Sequence, residues 1–133
     1  MTAKKFKGQT VEKGDYRIFL KKAEDFYSIT QQARNSENWT AVGLNAVHCA
    51  ISSCDALLVF YLGVRSTGES HMQAAELLLR LPQDISGEIA TFKRILAKKN
   101  IVAYENREFR QSDALEILKL TERFYRWAIS NLS

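Results

Sequence analysis

The chain has 133 residues, of which 46% are hydrophobic and 26% charged, with 6 Gly, 1 Pro, 2 Cys and a formal net charge of +4. That length suits one ordinary domain, and the apolar content supplies a core, which excludes a disordered chain. A single proline and few glycines argue against a turn-rich β-sandwich or barrel and for long helices with short connections.

Residues 1–14 read as a loose basic arm ending at Gly14. The start carries Lys4, Lys5 and Lys7, but no apolar stretch of a secretory signal follows them. Asp15 is a good N-cap for a first helix, in which Phe19, Ala23, Phe26, Ile29 or Thr30, and Ala33 recur at helical spacing. The segment from Arg34 to Asn38 breaks the pattern and caps the next helix. The second helix is predicted over Trp39–Leu62, roughly 36 Å long at 1.5 Å per residue. It is apolar or small nearly all round and is expected to sit centrally, with Gly63 ending it. Asn45, His48, Ser52, Ser53 and Asp55 within this run make it a poor membrane span and a better buried core helix.

Val64 to Ser70 reads as a loop, with Ser70 capping a third helix over His71–Leu81 that Pro82 closes. A fourth helix starts near Asp84 or Ser86, turns Ile89, Phe92, Ile95 and Leu96 inward and continues toward Tyr104. After a loop over Asn106–Gln111, a fifth helix opens at Ser112 or Asp113, with Glu116 completing a D-x-x-E capping pattern. Its buried stripe is expected to be Leu115, Leu118, Thr121 or Glu122, Phe124 or Tyr125, and Ala128. No strand pattern competes, so the expected fold is all-α: an up-and-down antiparallel bundle of about five helices, a single domain over residues 15–133.

Charge is placed unevenly. Residues 1–22 carry a net +5, residues 23–92 a net −5 and residues 93–110 a net +4, with the remainder neutral. Two basic regions that meet in space would make a phosphate-binding face; the plainer alternative is a solvated helix surface. Cys49 and Cys54 lie on one helix with Cα atoms roughly 8 Å apart, beyond disulfide reach, which favours free thiols and a reducing cytosol.

Three constellations stand out. Asn45, His48, Ser52 and Asp55 share one face of the central helix, where a His and an Asp can orient each other's protons for acid–base work or simply form a satisfied core network. Arg65 and His71 flank a loop at a helix start, a pairing that suits holding a phosphate and moving a proton, or merely a surface Arg and a capping His. In the segment from Lys98 to Tyr104, Asn100 and Tyr104 share a helix face; Lys99 points elsewhere on an ideal helix, although its long side chain can reach around, and Lys93, Arg94, Arg107 and Arg110 surround the site with positive charge; the alternative is a basic helix end complementing its own dipole. No metal-ligand spacing and no phosphate-cradling Gly-rich loop is present, so no cofactor is expected. A nucleophilic Cys49 is not expected, because His48 points to a different helix face.

The order and spacing of three segments resemble the HEPN family: Asn45 to Leu58, the loop and helix from Gly63 to Leu78, and Lys98 to Glu105 followed by Asp113-Ala-Leu-Glu and Ala128. Together they cover most of residues 15–132. The resemblance implies a helical bundle that dimerises, and a nucleotidyltransferase partner of the kind encoded beside many members as toxin–antitoxin or nucleotide-binding pairs. Ribonuclease members carry Arg, a polar residue and then His near the start of a late helix, and cleave RNA across the dimer without metal. The matching positions here are Lys99, Asn100 and Tyr104. Lys binds phosphate as a point charge, and Tyr is a poor base at neutral pH, although it can stack on a base. The resemblance therefore implies a non-catalytic, homodimeric nucleotide- or RNA-phosphate-binding module of a non-toxic branch, with Lys98, Lys99, Asn100 and Tyr104 as its ligand-binding residues. The alternatives are a metal-independent ribonuclease of toxin–antitoxin type using Arg65 and His71 or His48 and Asp55, and a structural homodimeric adaptor.

Overall fold

The computed structural model of the chain describes residues 8–67 and 71–132. It is an all-α bundle of five helices: α1 (Tyr16–Asn35), α2 (Trp39–Leu62), α3 (Met72–Leu78), α4 (Ser86–Ala103) and α5 (Gln111–Ser130). A short hairpin-like pairing accompanies them, with β1 (Gly8–Thr10) antiparallel to β2 (Val64–Ser66) and a 3-10 turn over Lys13–Asp15 leading into α1.

The central position of α2 follows from its composition. A helix apolar on every side must be covered on every side, and α1, α3, α4 and α5 all pack against it. By length and composition α2 is apolar enough to cross a membrane, but most of it is buried inside the bundle. Its ends are capped chemically: Asn38 Oδ1 accepts from the Ala41 N–H at 3.4 Å, and Gly63 takes the left-handed conformation (φ 65°) while its N–H donates to the Val59 carbonyl at 3.0 Å. Two hydroxyls at the core of this helix's packing are also satisfied. Ser53 Oγ donates to the Cys49 carbonyl at 2.7 Å, and Thr121 Oγ1 to the Ala46 carbonyl at 3.4 Å.

Several local expectations are corrected. Residues 8–10 belong to a strand, pairing Gln9 with Arg65, because an extended segment after Gly63 offers them a backbone partner that no side-chain pattern announces. The core face of α1 uses Thr30, not Ile29, since Thr30 Oγ1 donates to the Phe26 carbonyl at 2.7 Å and so enters the core without an unpaired hydroxyl, while Ile29 stays exposed. On α5, Ala114 and Ile117 are buried and Leu115 stands outward. Asp113 is not the cap itself but the third residue of α5, where its Oδ2 accepts from the Arg110 N–H at 3.0 Å. The third helix is shorter than its apolar pattern, ending at Leu78, and starts from His71 without a side-chain cap. The proposed cap Ser70 lies outside the described residues.

Candidate functional site

The polar face of α2 divides into parts with different partners. Asn45 closes on its own helix, Nδ2 donating to the Ala41 carbonyl at 2.8 Å. Ser52 is buried. His48 is exposed and stacks on Phe26 of α1, ring centroids 5.2 Å apart at 26°. Asp55 is only 6% exposed and faces Arg65, whose Nε lies 3.5 Å from Oδ2. This contact is an ion pair with poor hydrogen-bond geometry, for Arg65 Nε is buried without a hydrogen-bond partner. Arg65 is held there by the strand pairing with β1 and by the Phe19 ring beneath it, 5.1 Å from guanidinium carbon to centroid.

A second cation joins the pair. Lys22 Nζ lies 5.4 Å from the same Phe19 ring, and its charge acts on Asp55. Burial nevertheless outweighs Arg65 and Lys22, so the Asp55 carboxyl is pushed up to about 6. Spacing signalled this wall of the site: Phe19, Lys22 and Phe26 stand three and four apart on α1. The same spacing equally fits a core role for the two Phe, which conceals their contact with the site.

His71 precedes α3 with φ 58° and ψ 0°, a left-handed conformation uncommon for a side-chain-bearing residue. It is half-buried, and its pKa is lowered first by burial, then by the charges of Lys99, His48 and Arg65. Although His48 keeps an exposed side, the partial desolvation of its ring lowers its pKa, and Lys99 lowers it further. The three separate constellations of the sequence are thus electrostatically linked in pairs: the charges of Lys99, His48 and Arg65 act on His71, Lys99 acts on His48, and Arg65 acts on Asp55.

Lys99 also lines an open hollow of about 560 Å³ with Met72, Lys93, Leu96, Asn100 and Tyr104. The Tyr104 ring is 76% exposed there. Lys98, in contrast, points to the other flank of α4, where its Nζ lies 3.0 Å from Glu116 Oε2 and its side chain is 19% exposed. Adjacent residues on a helix are turned about 100° apart, so Lys98 and Lys99 serve different faces. Arg94, Arg107 and Arg110 are not around the hollow either; they approach Glu116, Asp113 and Glu108 at 3.9, 3.4 and 3.8 Å respectively. The positive charge beside the hollow comes from Lys93 and Lys99.

Cys49 and Cys54 are free, buried thiols, and burial pushes Cys49 up to about 12. Neither is a nucleophile at neutral pH. Among the described residues, no three His, Cys, Asp or Glu side chains gather as a metal site. What the cluster can do is hold an anion: with both imidazoles neutral, Lys22, Arg65 and Lys99 outweigh Asp55 by two charges. No family model, curated protein or solved structure matches the chain.

Proposed function

We propose that this chain is a binding module for the phosphate of a nucleotide or of RNA, received by Arg65, Lys99 and His71, with Asn100 and Tyr104 contacting the attached base or sugar. The open hollow lined by Lys93, Lys99, Asn100 and Tyr104 carries this reading, and the charges of Lys99 and Arg65 acting on His71 support assigning Arg65 and His71 to the same ligand. Arg65 suits the role because its side chain is 39% exposed and its charge is only loosely matched by Asp55. The resemblance to HEPN proteins adds a homodimer and a nucleotidyltransferase partner to the proposal; light scattering on the purified chain tests the dimer.

Titration calorimetry with uridine monophosphate and with a short oligouridylate tests the site. Arg65→Ala and Lys99→Ala are each expected to weaken binding about tenfold or more, the weight of one hydrogen bond to a charged group. Lys98→Ala is expected to leave uridine monophosphate binding unchanged, because Lys98 stands on the far flank. Failure of both ligands to bind the wild-type chain refutes the proposal.

A second reading, metal-independent RNA cleavage, gains from one observation: both histidines are held toward the neutral form that a general base requires, next to Arg65 and Lys99. Cleavage of RNA in the presence of EDTA, lost in His71→Asn and in His48→Ala, would establish it. His71→Asn is the cleaner variant, because Asn tolerates the left-handed backbone.

A further inference from the structure

The fourth helix separates two hollows, and only one belongs to the site above. The other, also about 560 Å³, lies between α4 and α5 and is lined by Arg94, Glu116, Lys119, Glu122, Arg123 and Arg126, with Leu120 at its floor. Its two carboxylates are already engaged. Glu116 is held by Lys98 at 3.0 Å and approached by Arg94 at 3.9 Å. Glu122 Oε1 accepts from Tyr27 Oη at 3.2 Å and from Gln31 Nε2 at 3.1 Å, both on α1. Lys119 and Arg123 are exposed, one helical turn apart on α5, and have no acidic partner among the described residues.

The two hollows are joined on the crest of α4 by consecutive residues. Lys93 lines the first and Arg94 the second, and both are exposed. A cationic band therefore runs from Lys99 through Lys93 and Arg94 to Arg123 and Lys119. A mononucleotide cannot use such a length; a chain of phosphates can. The exposed Tyr104 ring at the first hollow supplies a flat face for a base that is not paired. An acidic polypeptide has no base to stack there, and a duplex hides its base faces.

We infer that the α4–α5 hollow is the second half of a track for single-stranded nucleic acid, which enters at the Lys99 hollow and crosses α4 at Lys93 and Arg94. This rests on the phosphate-binding reading of the first hollow and extends it from a single nucleotide to a strand. Shared backbone chemistry makes RNA and DNA equivalent for the track, and the experiment separates them.

Fluorescence anisotropy of labelled oligouridylate and oligothymidylate of about twelve nucleotides is measured against salt for wild type and for Lys119→Ala/Arg123→Ala. Uridine monophosphate, a duplex RNA and polyglutamate are run beside them. Removing two phosphate contacts is expected to weaken oligonucleotide binding roughly tenfold near 0.1 M salt and to reduce the slope of log K against log salt by about 1.4. Uridine monophosphate binding should stay as in wild type. Lys21→Ala, which removes a lysine already paired with Asp25 at 2.7 Å on exposed α1, should change nothing. Unaltered oligonucleotide affinity and slope in the α5 variant overturn the track, as does polyglutamate or duplex binding at least as tight as that of the single strand. The two proposals fail separately. Oligonucleotide binding that depends on Lys119 and Arg123 without uridine monophosphate binding keeps the track and removes the mononucleotide site, whereas the reverse pattern removes the track.

Discussion

Asp55 shows how burial decides a residue's behaviour against two favourable neighbours. Arg65 and Lys22 pull its pKa down, burial pushes it up further, and the carboxyl rises from 3.8 to about 6. The sign for stability follows from that direction. A carboxyl whose folded pKa is raised is protonated in both states below about pH 4 and carries no penalty there. The penalty grows as pH rises toward 6 and is constant above it. Asp55→Asn, which mimics the protonated form, should match wild type near pH 3.5 and exceed it by up to about 3 kcal/mol at pH 8, at about 1.4 kcal/mol per pKa unit. Urea unfolding across that range checks this, and a difference independent of pH would show that Asp55 is not the titrating group. The buried thiols give a second expectation: Cys49 and Cys54 should react with a thiol reagent at the rate of unfolding, so that labelling accelerates in step with added urea. The polar line of α2 was visible from spacing alone. Its division was not, because an exposed stacked His48 and a buried paired Asp55 differ only in what the other elements bring to them.

Among the elements, α2 was the most legible. Its limits, its central place and its glycine stop follow from a run of small and apolar residues bounded by Asn38 and Gly63. What that run could not reveal is which neighbour each small residue admits. Gly43 is an example: a Cβ there would lie 2.5 Å from Val102 Cγ2 and 2.7 Å from the Phe109 ring, so the end of α4 and the segment before α5 approach the helix backbone directly. Gly43→Ala should therefore cost about 1–3 kcal/mol by overpacking, despite the better helix propensity of Ala. Adding Val102→Ala should recover part of that loss, and thermal or urea melts of the single and double variants measure it. The β1–β2 pairing was illegible for the opposite reason. Three-residue strands have too little side-chain pattern to read, and their stability comes from backbone hydrogen bonds and from what they position, here Arg65 over Phe19.

For the molecule as a whole, the candidate site combines fixed cations with groups that change charge near neutrality. Lys22, Arg65 and Lys99 remain positive, while His48 and His71 gain charge below their ordinary value of 6.5 and Asp55 loses its negative charge below about 6. Acidification thus makes three electrostatically linked side chains more positive at once. Affinity for a phosphodiester strand, whose own charge is constant over this range, should rise as pH falls from 7.5 to 5.5, as read by anisotropy at fixed ionic strength. Combining His48→Ala with His71→Asn should flatten that rise and leave only the share owed to Asp55. A flat wild-type profile would mean that these groups do not face the ligand.

Hydrophobic periodicity, the scarcity of turn residues and the chemistry of helix ends were enough to define five helices and a central α2, because each depends on residues near one another in the chain. The joining of Arg65, His71, His48, Asp55 and Lys99 depends on helices crossing at positions many residues apart, and on a strand pairing that fixes one arginine. The turn of about 100° between Lys98 and Lys99 is local helix geometry, but packing decided that one meets Glu116 and the other an open hollow. Local order can be read along a chain; which charges become neighbours is decided by packing, since only packing sets the distances and the burial on which electrostatics depends.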